Sequence, residues 1–253
     1  MDRIALRTLF YKEVRRFSKV WMQTVFSPLI TTSLYFLVFG VALGARLETV
    51  DGVPYILFVI PGLMMLSMIN NAFLNCASSL FQSKINGTIV DILVAPLGVA
   101  EMLIAYVGAA VCRASVVGLL VYLVASVFTG FHMASLGWTL FFAVSVSASF
   151  ALLGLLTAIW AEKFDHLAVV PNFLLMPLTF LGGVFYSVDM LPEPWSTVSR
   201  LNPILYMVNG LRQGLLGISD VHVGWSALAV GGSLVALVAT ATAVIGRGYK
   251  LRS

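Results

Sequence analysis

The stretch "LPEPWSTVSRLNPILYMVNGLRQGLLG" (residues 191–217) lies between two long apolar runs and matches neither of them. It is apolar enough to enter a membrane, yet it contains three prolines and two arginines, Arg200 and Arg212. It crosses the membrane, stays outside it, or enters and returns on the same side. The choice among these three decides the topology of the whole chain.

The composition is that of a polytopic membrane protein. Of the 253 residues, 60% are hydrophobic and only 10% are charged, whereas soluble domains have about one quarter charged residues. A span needs about 20 apolar residues to cross a hydrocarbon core of about 30 Å. Six runs meet this length and predict an all-α membrane domain over residues 1–253. The predicted spans are residues 22–45, 55–81, 102–130, 138–160, 167–186 and 225–246.

The distribution of positive charge predicts how these spans are oriented. With six spans both termini lie on one side, and that side holds 11 of the 15 Lys and Arg residues, as expected for a cytoplasmic face. A seventh span at 201–217 would place the basic C-terminal tail opposite the basic N-terminal segment. Its 17 residues would also reach only about 25 Å as a helix. Residues 187–217 are therefore predicted to enter from the outer side and return, as a re-entrant helical hairpin.

The N-terminal segment, residues 2–20, has the pattern of an amphipathic helix. Its apolar residues form one stripe and its basic residues the opposite face, which predicts a helix on the cytoplasmic membrane surface in contact with anionic lipids. The apolar stripe is Leu6, Phe10, Val14, Phe17 and Trp21, and the basic face is Lys12, Arg15, Arg16 and Lys19. The alternative is a simple membrane anchor without a protein partner. Nucleic-acid binding is a poor interpretation, because a basic stretch beside a first span is typical of a cytoplasmic flank.

The loop between the second and third predicted spans, residues 82–101, contains a second amphipathic segment. Ile85, Ile89, Ile92 and Leu93 have helical spacing, and Pro96 ends the segment. A short helix with one apolar face, offered to the cytoplasm, is suited to dock on a soluble partner. The alternative is an ordinary connector that lies on the membrane.

Residues suited to catalysis are scarce. The three histidines lie in separate loops, the sequence has no HExxH motif, and no glycine is followed by lysine, so the chain has no P-loop for ATP. We therefore expect neither a catalytic site nor a metal site nor a bound cofactor in this chain. No acidic residue lies well inside a predicted span, which disfavours a proton-driven carrier.

One charge does lie deep within a predicted span. Arg113 is about 16 Å from the inner end of the third span, and Asn70 and Asn71 lie at a similar depth on the second, with Asn75 one turn nearer the cytoplasm. A buried arginine is costly unless it is solvated or paired. Either these polar groups lock two helices together, or they face a cavity in which Arg113 meets an anionic group of a substrate.

Several segments of the chain, in the order in which they occur, resemble the membrane subunit of ABC transporters of the ABC-2 type. They are especially similar to the short bacterial inner-membrane permeases. The resemblance covers nearly the whole chain. It is carried by "RFSKVWMQTVFSPLITTSLYFLVFG" (16–40), "FVIPGLMMLSMINNAF" (58–73), "INGTIVDILVAPL" (85–97), "FDHLAVVPNFLLMPLTFLGGVFYSVDMLP" (164–192) and "LNPILYMVNGLRQGLLG" (201–217).

This resemblance implies a partner and a mechanism. Such permeases pair as two copies with two ATP-binding subunits, which bind ATP and Mg, and most export hydrophobic or amphipathic substrates such as lipids, lipid-linked glycans or drugs. It implies that spans one, two and five line the substrate path and that two short re-entrant helices precede the last span. The implied ATPase-docking residues are Arg15, Arg16, Gln82, Ser83, Lys84, Gly87, Thr88, Asp91, Ile92, Leu93, Glu162 and Lys163. The residues of interest in the re-entrant segment are Asn202, Pro203, Tyr206, Asn209 and Arg212.

Three other functions stay open at this stage. A self-contained secondary transporter or channel would be active without a partner, and a membrane enzyme would need a polar catalytic cluster at one membrane face. A non-catalytic assembly factor is the alternative that the sequence excludes least well.

Overall fold

The computed structural model of the chain describes residues 3–38, 49–50, 52–130 and 133–250, apart from the side chains of Val25 and Phe128. Parts of the sequence predictions fall outside these residues. They are the first residue of the predicted amphipathic helix (2), the end of the first predicted span (39–45), the outer-loop residue Arg46, His132 and the C-terminal residue Arg252.

The described chain is a bundle of α-helices, as the composition predicts. The helices are α1 (Arg3–Ser18), α2 (Trp21–Tyr35), α3 (Tyr55–Ile85), α4 (Ile89–Val94), α5 (Val99–Thr129), α6 (Leu136–Trp160), α7 (His166–Val169), α8 (Met176–Phe180), α9 (Glu193–Leu201), α10 (Pro203–Leu216) and α11 (Val223–Gly246). A π-helical segment, Val170–Leu175, joins α7 to α8, and Val188–Met190 form a 3₁₀ turn. Two short strands, β1 (Thr49–Val50) and β2 (Val53–Pro54), pair antiparallel before α3.

Four of the described helices are long and apolar enough to cross a membrane, namely α3, α5, α6 and α11. The fifth predicted span, residues 167–186, is shorter in the structure than its apolar run. The helical stretch His166–Phe180 ends before Gly182, and Gly183 adopts a positive φ of 70° that a helix does not allow. Residues 181–186 thus lie beyond the helix, because the apolar run continues after the helical backbone has ended, and the predicted end of the span at residue 186 stays a prediction.

Helix α3 is the centre of the bundle and packs against α5, α6 and α10. Its side chains Phe73, Cys76 and Leu80 are fully buried. The contact with α6 is unusually close at Gly154, where an added Cβ would lie 2.3 Å from the carbonyl oxygen of Phe73. Glycine at this position allows the backbones of the two helices to approach each other, as small residues do in membrane helix pairs.

We expect Gly154→Leu to lower the free energy of unfolding by about 1–3 kcal/mol, because a side chain there meets backbone atoms that cannot move aside. Gly232→Leu in α11 is the matched control, since an added Cβ there has nothing within 4 Å. Titration with a denaturing detergent, followed by circular dichroism, measures both variants. Equal stability of the two would contradict the close packing of α3 on α6.

The opening stretch lies at one end of this bundle. Helix α10 contacts the beginnings of α3 and α6: the guanidinium carbon of Arg212 lies 3.8 Å from the ring centre of Phe58, and Gly214 packs on Thr139. Asn202, at the start of α10, donates to the carbonyl of Leu178 in α8 at 2.6 Å. The chain thus leaves α8 and enters α11 at the same end of the bundle, and residues 191–217 do not run along its length.

Candidate functional site

A cleft of about 400 Å³ opens between α2, α3 and the stretch from Pro171 to Phe180. These are the first, second and fifth predicted spans, the three that the family resemblance implies for the substrate path. One residue of α5, Arg113, also reaches the cleft. The polar residues that line it are Gln23, Ser27, Thr31, Tyr35, Ser67, Asn70, Asn71, Arg113, Asn172 and Thr179. The cleft is thus partly polar within an otherwise apolar bundle.

Helical periodicity accounts for this lining. On α2 the polar residues Gln23, Ser27 and Thr31 recur every four positions and share one face. That signal was present in the sequence but was not used in the predictions. Asn172 was also missed, and it lies in the π-helical segment directly after Pro171. Wide turns of this kind often occur at functional sites of helices.

The four predicted path residues separate into two groups. Asn70, Asn71 and Arg113 line the cleft, whereas Asn75 is buried at 1% exposure. Asn75 Oδ1 accepts hydrogen bonds from Arg16 at 2.9 Å and from Arg113 at 3.5 Å. Arg113 therefore combines the two sequence interpretations, because it bonds to a neighbouring helix and also faces the cleft. That substrate passes here stays a prediction.

Beside the cleft lies a buried charged cluster that the sequence reasoning missed. Glu13 is only 1% exposed, and its Oε2 accepts from Ser79 Oγ at 2.6 Å and from Arg16 Nε at 3.1 Å. Arg16 also donates to the backbone carbonyl of Asn75 at 2.8 Å. Glu13 lies at helical spacing from Phe10 and Phe17, but a charged residue was not counted in the apolar stripe. The buried face of α1 consequently contains Glu13; α1 packs against α5 and is hydrogen-bonded to α3 through Asn75 and Ser79.

The predicted docking residues are not all available at the surface. Exposed members of the set are Arg15, Gln82, Gly87, Thr88, Asp91, Leu93, Glu162 and Lys163. Ile92 is buried together with Ile89 on the inner face of α4, and Ser83 is buried and donates to the carbonyl of Ser79. The guanidinium of Arg16 is engaged in the cluster described above. The apolar surface that α4 does expose consists of Val90, Leu93 and Val94.

Lys84 is held within the chain as well. Its ammonium group donates to three carbonyl oxygens at the end of α6, those of Ala158, Ile159 and Ala161, at 2.9–3.1 Å. The last carbonyls of a helix lack partners of their own, so a cation there acts as a C-terminal cap. Lys84 therefore joins the ends of α3 and α6 and is not directed outward for docking.

An ion pair lies at the same end of the bundle. Lys250, after α11, donates to the Glu162 carboxylate at 2.6 Å. This hydrogen bond holds the pKa of Glu162 below its usual value and raises the pKa of Lys250. The ends of α3, α6 and α11 thus lie together, on the side predicted to be cytoplasmic.

The residues named from the sequence in the segment 187–217 have clear partners. Asn209 is fully buried: its amide nitrogen donates to the Val221 carbonyl, and its side-chain oxygen accepts from the backbone N–H of Asp220 at 2.7 Å. Arg212 is also fully buried and forms an ion pair with Asp220 at 3.3 Å. Pro203 begins α10, and Tyr206 donates to the carbonyl of Arg200. Asp220 was missed because it lies in the short connector before α11.

The remaining titratable groups do not assemble a metal site in the part of the chain that the structure describes. Three or more His, Cys, Asp or Glu side chains do not come together there. His222 accepts from the N–H of Gly224 at the start of α11, and the His166 ring lies against Trp160.

Comparison with known proteins decides the family. The sequence model of the family described as ABC-2 type transporter matches residues 4–216. The chain belongs to the ABC-2 type transporter family. The ABC-2 permease is 41% identical over 250 residues to "Inner membrane transport permease YadH" of Escherichia coli strain K12, covering 99% of this chain and 98% of the relative.

More distant relatives of the ABC-2 permease carry the name "Nodulation protein J". The protein from Sinorhizobium fredii strain NBRC 101917 / NGR234 is 28% identical over 191 residues, which cover 73% of this chain and 70% of the relative. The protein from Rhizobium meliloti strain 1021 is 25% identical over 207 residues, 81% and 79% of the two chains. The family resemblance read from the sequence is thereby confirmed. This ABC-2 permease is a multi-pass inner-membrane transport protein, and its family implies an ATP-binding partner subunit.

Proposed function

We propose that this ABC-2 permease forms the substrate path of an ATP-driven exporter that moves a hydrophobic or amphipathic substrate outward across the bacterial inner membrane. A lipid, a lipid-linked glycan and a hydrophobic drug all fit this class. Two copies of the chain act with two copies of a separate ATP-binding subunit. The chain itself binds no cofactor, and ATP with Mg binds to the partner.

The observation that carries this proposal is the mixed lining of the cleft. Polar groups such as Gln23, Asn71 and Asn172 share its wall with apolar side chains such as Leu63 and Phe180. A site for an amphipathic molecule needs both kinds of surface, because each part of the ligand must exchange water or lipid for a matching contact. A path for small ions would instead be lined throughout by charged or carbonyl groups.

The topology proposed for this function has six spans and both termini in the cytoplasm. In addition to α3, α5, α6 and α11, the first span contains α2, and the fifth contains α7 and α8. Helices α9 and α10 form the re-entrant hairpin on the outer side. Helix α1 serves as the interface helix, and most of the exposed Lys and Arg side chains then lie on the cytoplasmic side.

Docking of the ATP-binding subunit is proposed at the end of the bundle that carries α4. The exposed surface there combines an apolar patch, Val90, Leu93 and Val94, with the carboxylate of Asp91. Exposed apolar groups beside a charge are typical of a protein interface. Closure of two ATP-binding subunits would push on α4, and a short turn at residues 86–88 joins α4 to α3, which lines the cleft.

We expect Asp91→Arg to abolish co-purification with the ATP-binding subunit in mild detergent, because the substitution reverses the charge at the centre of the proposed surface. Asp189→Arg is the matched control: Asp189 is also exposed, but it lies at the other end of the bundle. The permease alone should remain monodisperse in both variants. Loss of the partner from the Asp189 variant, or full retention by the Asp91 variant, would contradict this docking site.

Transport by the purified permease without any ATP-binding subunit would contradict the larger proposal. Such a result would favour the alternative function, a self-contained secondary transporter or channel. The assembly-factor alternative predicts that the complex with the ATPase forms but moves no substrate when ATP is supplied in proteoliposomes.

A further inference from the structure

We propose that the substrate carries an anionic group, a phosphate or a carboxylate, on an apolar body, and that the guanidinium of Arg113 binds this group within the cleft. The inference rests on the proposed function and narrows its substrate class. It takes the cleft as the site and Arg113 as the residue that selects for charge.

The charge balance of the cleft is the first argument. Arg113 is the single charged residue among the described residues that line it, and the others are neutral. The charge that acts on it from nearby is the guanidinium of Arg16, which repels it. Positive charge in the middle of a membrane helix is costly without a counter-charge. An anionic ligand in the cleft would supply one.

The neighbouring acid is already engaged. Glu13 accepts from Arg16 and Ser79, so the buried cluster contains two guanidinium groups, Arg16 and Arg113, and one carboxylate. The sum is one excess positive charge. Because Arg113 is the member of the cluster that reaches the cleft, the excess charge is presented there.

The hydrogen bonds of Arg113 are the second argument. Its single contact with Asn75 is long, at 3.5 Å, and its Nε is buried without a hydrogen-bond partner among the described residues. A guanidinium has five N–H donors in a planar fork that fits two oxygens of a phosphate or carboxylate. An anion beside Arg113 would satisfy donors that the protein leaves unused.

The rest of the lining favours an amphiphile over a free anion. Apolar side chains cover much of the cleft wall beside its polar residues. They are Leu63, Leu66, Met176, Phe180 and Phe185. Burial of an apolar chain against them contributes about 25 cal/mol per Å² of apolar surface. Inorganic phosphate gains nothing from this surface and should bind weakly.

The test uses the permease in complex with its ATP-binding subunit, in nanodiscs of phosphatidylcholine. The probes are fluorescent lysophosphatidic acid, whose head group is anionic, and lysophosphatidylcholine with the same chain and dye, whose head group is zwitterionic. Fluorescence anisotropy gives the Kd of each. Inorganic phosphate, added as a competitor, distinguishes a lipid headgroup from the free anion.

We expect the wild-type complex to bind the anionic probe at least about tenfold more tightly than the zwitterionic one, since a charge-assisted hydrogen-bond pair contributes about this much. Arg113→Gln should abolish the preference and Arg113→Lys should retain part of it. Arg200→Gln removes the same charge from the outer surface and should leave the preference unchanged. Size-exclusion profiles show whether each variant is folded.

Equal binding of the two probes by the wild type, or equal loss in the Arg200 variant, overturns the inference. Complete displacement of the anionic probe by inorganic phosphate overturns its amphiphilic part. ATP hydrolysis, measured on the same samples, separates this inference from the proposed function. A complex that hydrolyses ATP but shows no preference ends only the inference. A chain that binds no ATPase is assayed alone in the same nanodiscs; if it still prefers the anionic probe, the proposed function is overturned and the binding of an anionic amphiphile at Arg113 is retained.

Discussion

Replacing Arg212 by methionine is expected to lower the free energy of unfolding of this permease by about 3–5 kcal/mol, because the substitution leaves a buried carboxylate without its cation. In the native protein the Arg212–Asp220 pair has side-chain exposures of 0% and 4%. Arg212 also donates to the carbonyl of Gly183 at 2.7 Å, so its loss removes a second restraint on the hairpin. Denaturing-detergent titration of the purified protein measures the effect.

A surface ion pair in the same segment provides the control. Arg200 and Asp189 lie 3.4 Å apart with exposures of 62% and 70%. Exposed pairs contribute about 0–1 kcal/mol, so Arg200→Met should unfold nearly as the wild type does. The double variant Arg212→Met with Asp220→Asn should recover part of the lost stability, because no charge then remains buried. Equal stability of the Arg212 and Arg200 variants would show that the buried pair does not hold the hairpin.

Glu13→Gln is expected to cost about 3 kcal/mol, the second-largest effect, because Arg16 loses the carboxylate that compensates its charge. Glutamine has the same shape and can still accept the hydrogen bond from Ser79, so the loss reports on charge and not on packing. The two guanidinium groups of Arg16 and Arg113 then face each other without an acid in the cluster. We expect α1 to separate from α3, which limited proteolysis at Lys12 and Arg15 detects.

Glu162→Gln is the matched control for this prediction. Its carboxylate is also paired with a cation, Lys250, but it is 68% exposed and water replaces the lost contact. A Glu13 variant that resists protease as well as the Glu162 variant does would mean that α1 is held by its apolar contacts alone.

The segment 187–217 shows how far sequence reasoning reaches. Charge parity and the length of 201–217 predict that the chain returns without crossing; the structure has α10 beside the beginnings of α3 and α6, and the re-entrant path stays a prediction. Long-range polar partners could not be predicted in the same way. Asp220 is an ordinary loop residue in the sequence, and only the fold brings it to Arg212.

The charged residues at the end of the bundle predicted to be cytoplasmic show what sequence reasoning cannot predict. The family resemblance implies docking roles for Lys84 and Arg16, and lysine or arginine in a loop or on an amphipathic helix usually faces water. In the structure Lys84 caps α6, and Arg16 bonds to Glu13 and Asn75. A buried cation needs acceptors from another part of the chain, and local pattern contains no information on where those acceptors lie. On α4 helical spacing does separate the two faces, since Asp91 is exposed and Ile92 is buried, and docking at Asp91 stays a prediction.

The cap at Lys84 has a mechanical consequence. One ammonium group ties the terminus of α3 to the last turn of α6, and Lys250 with Glu162 ties α11 to the residues that follow α6. We expect a force applied at the proposed docking surface on α4 to move the joined ends of α3 and α6 together. Residues of α10 pack on α3, α6 and α11 at the far end of the bundle, so we expect a joint movement of α3 and α6 to reach residues 203–216 as well.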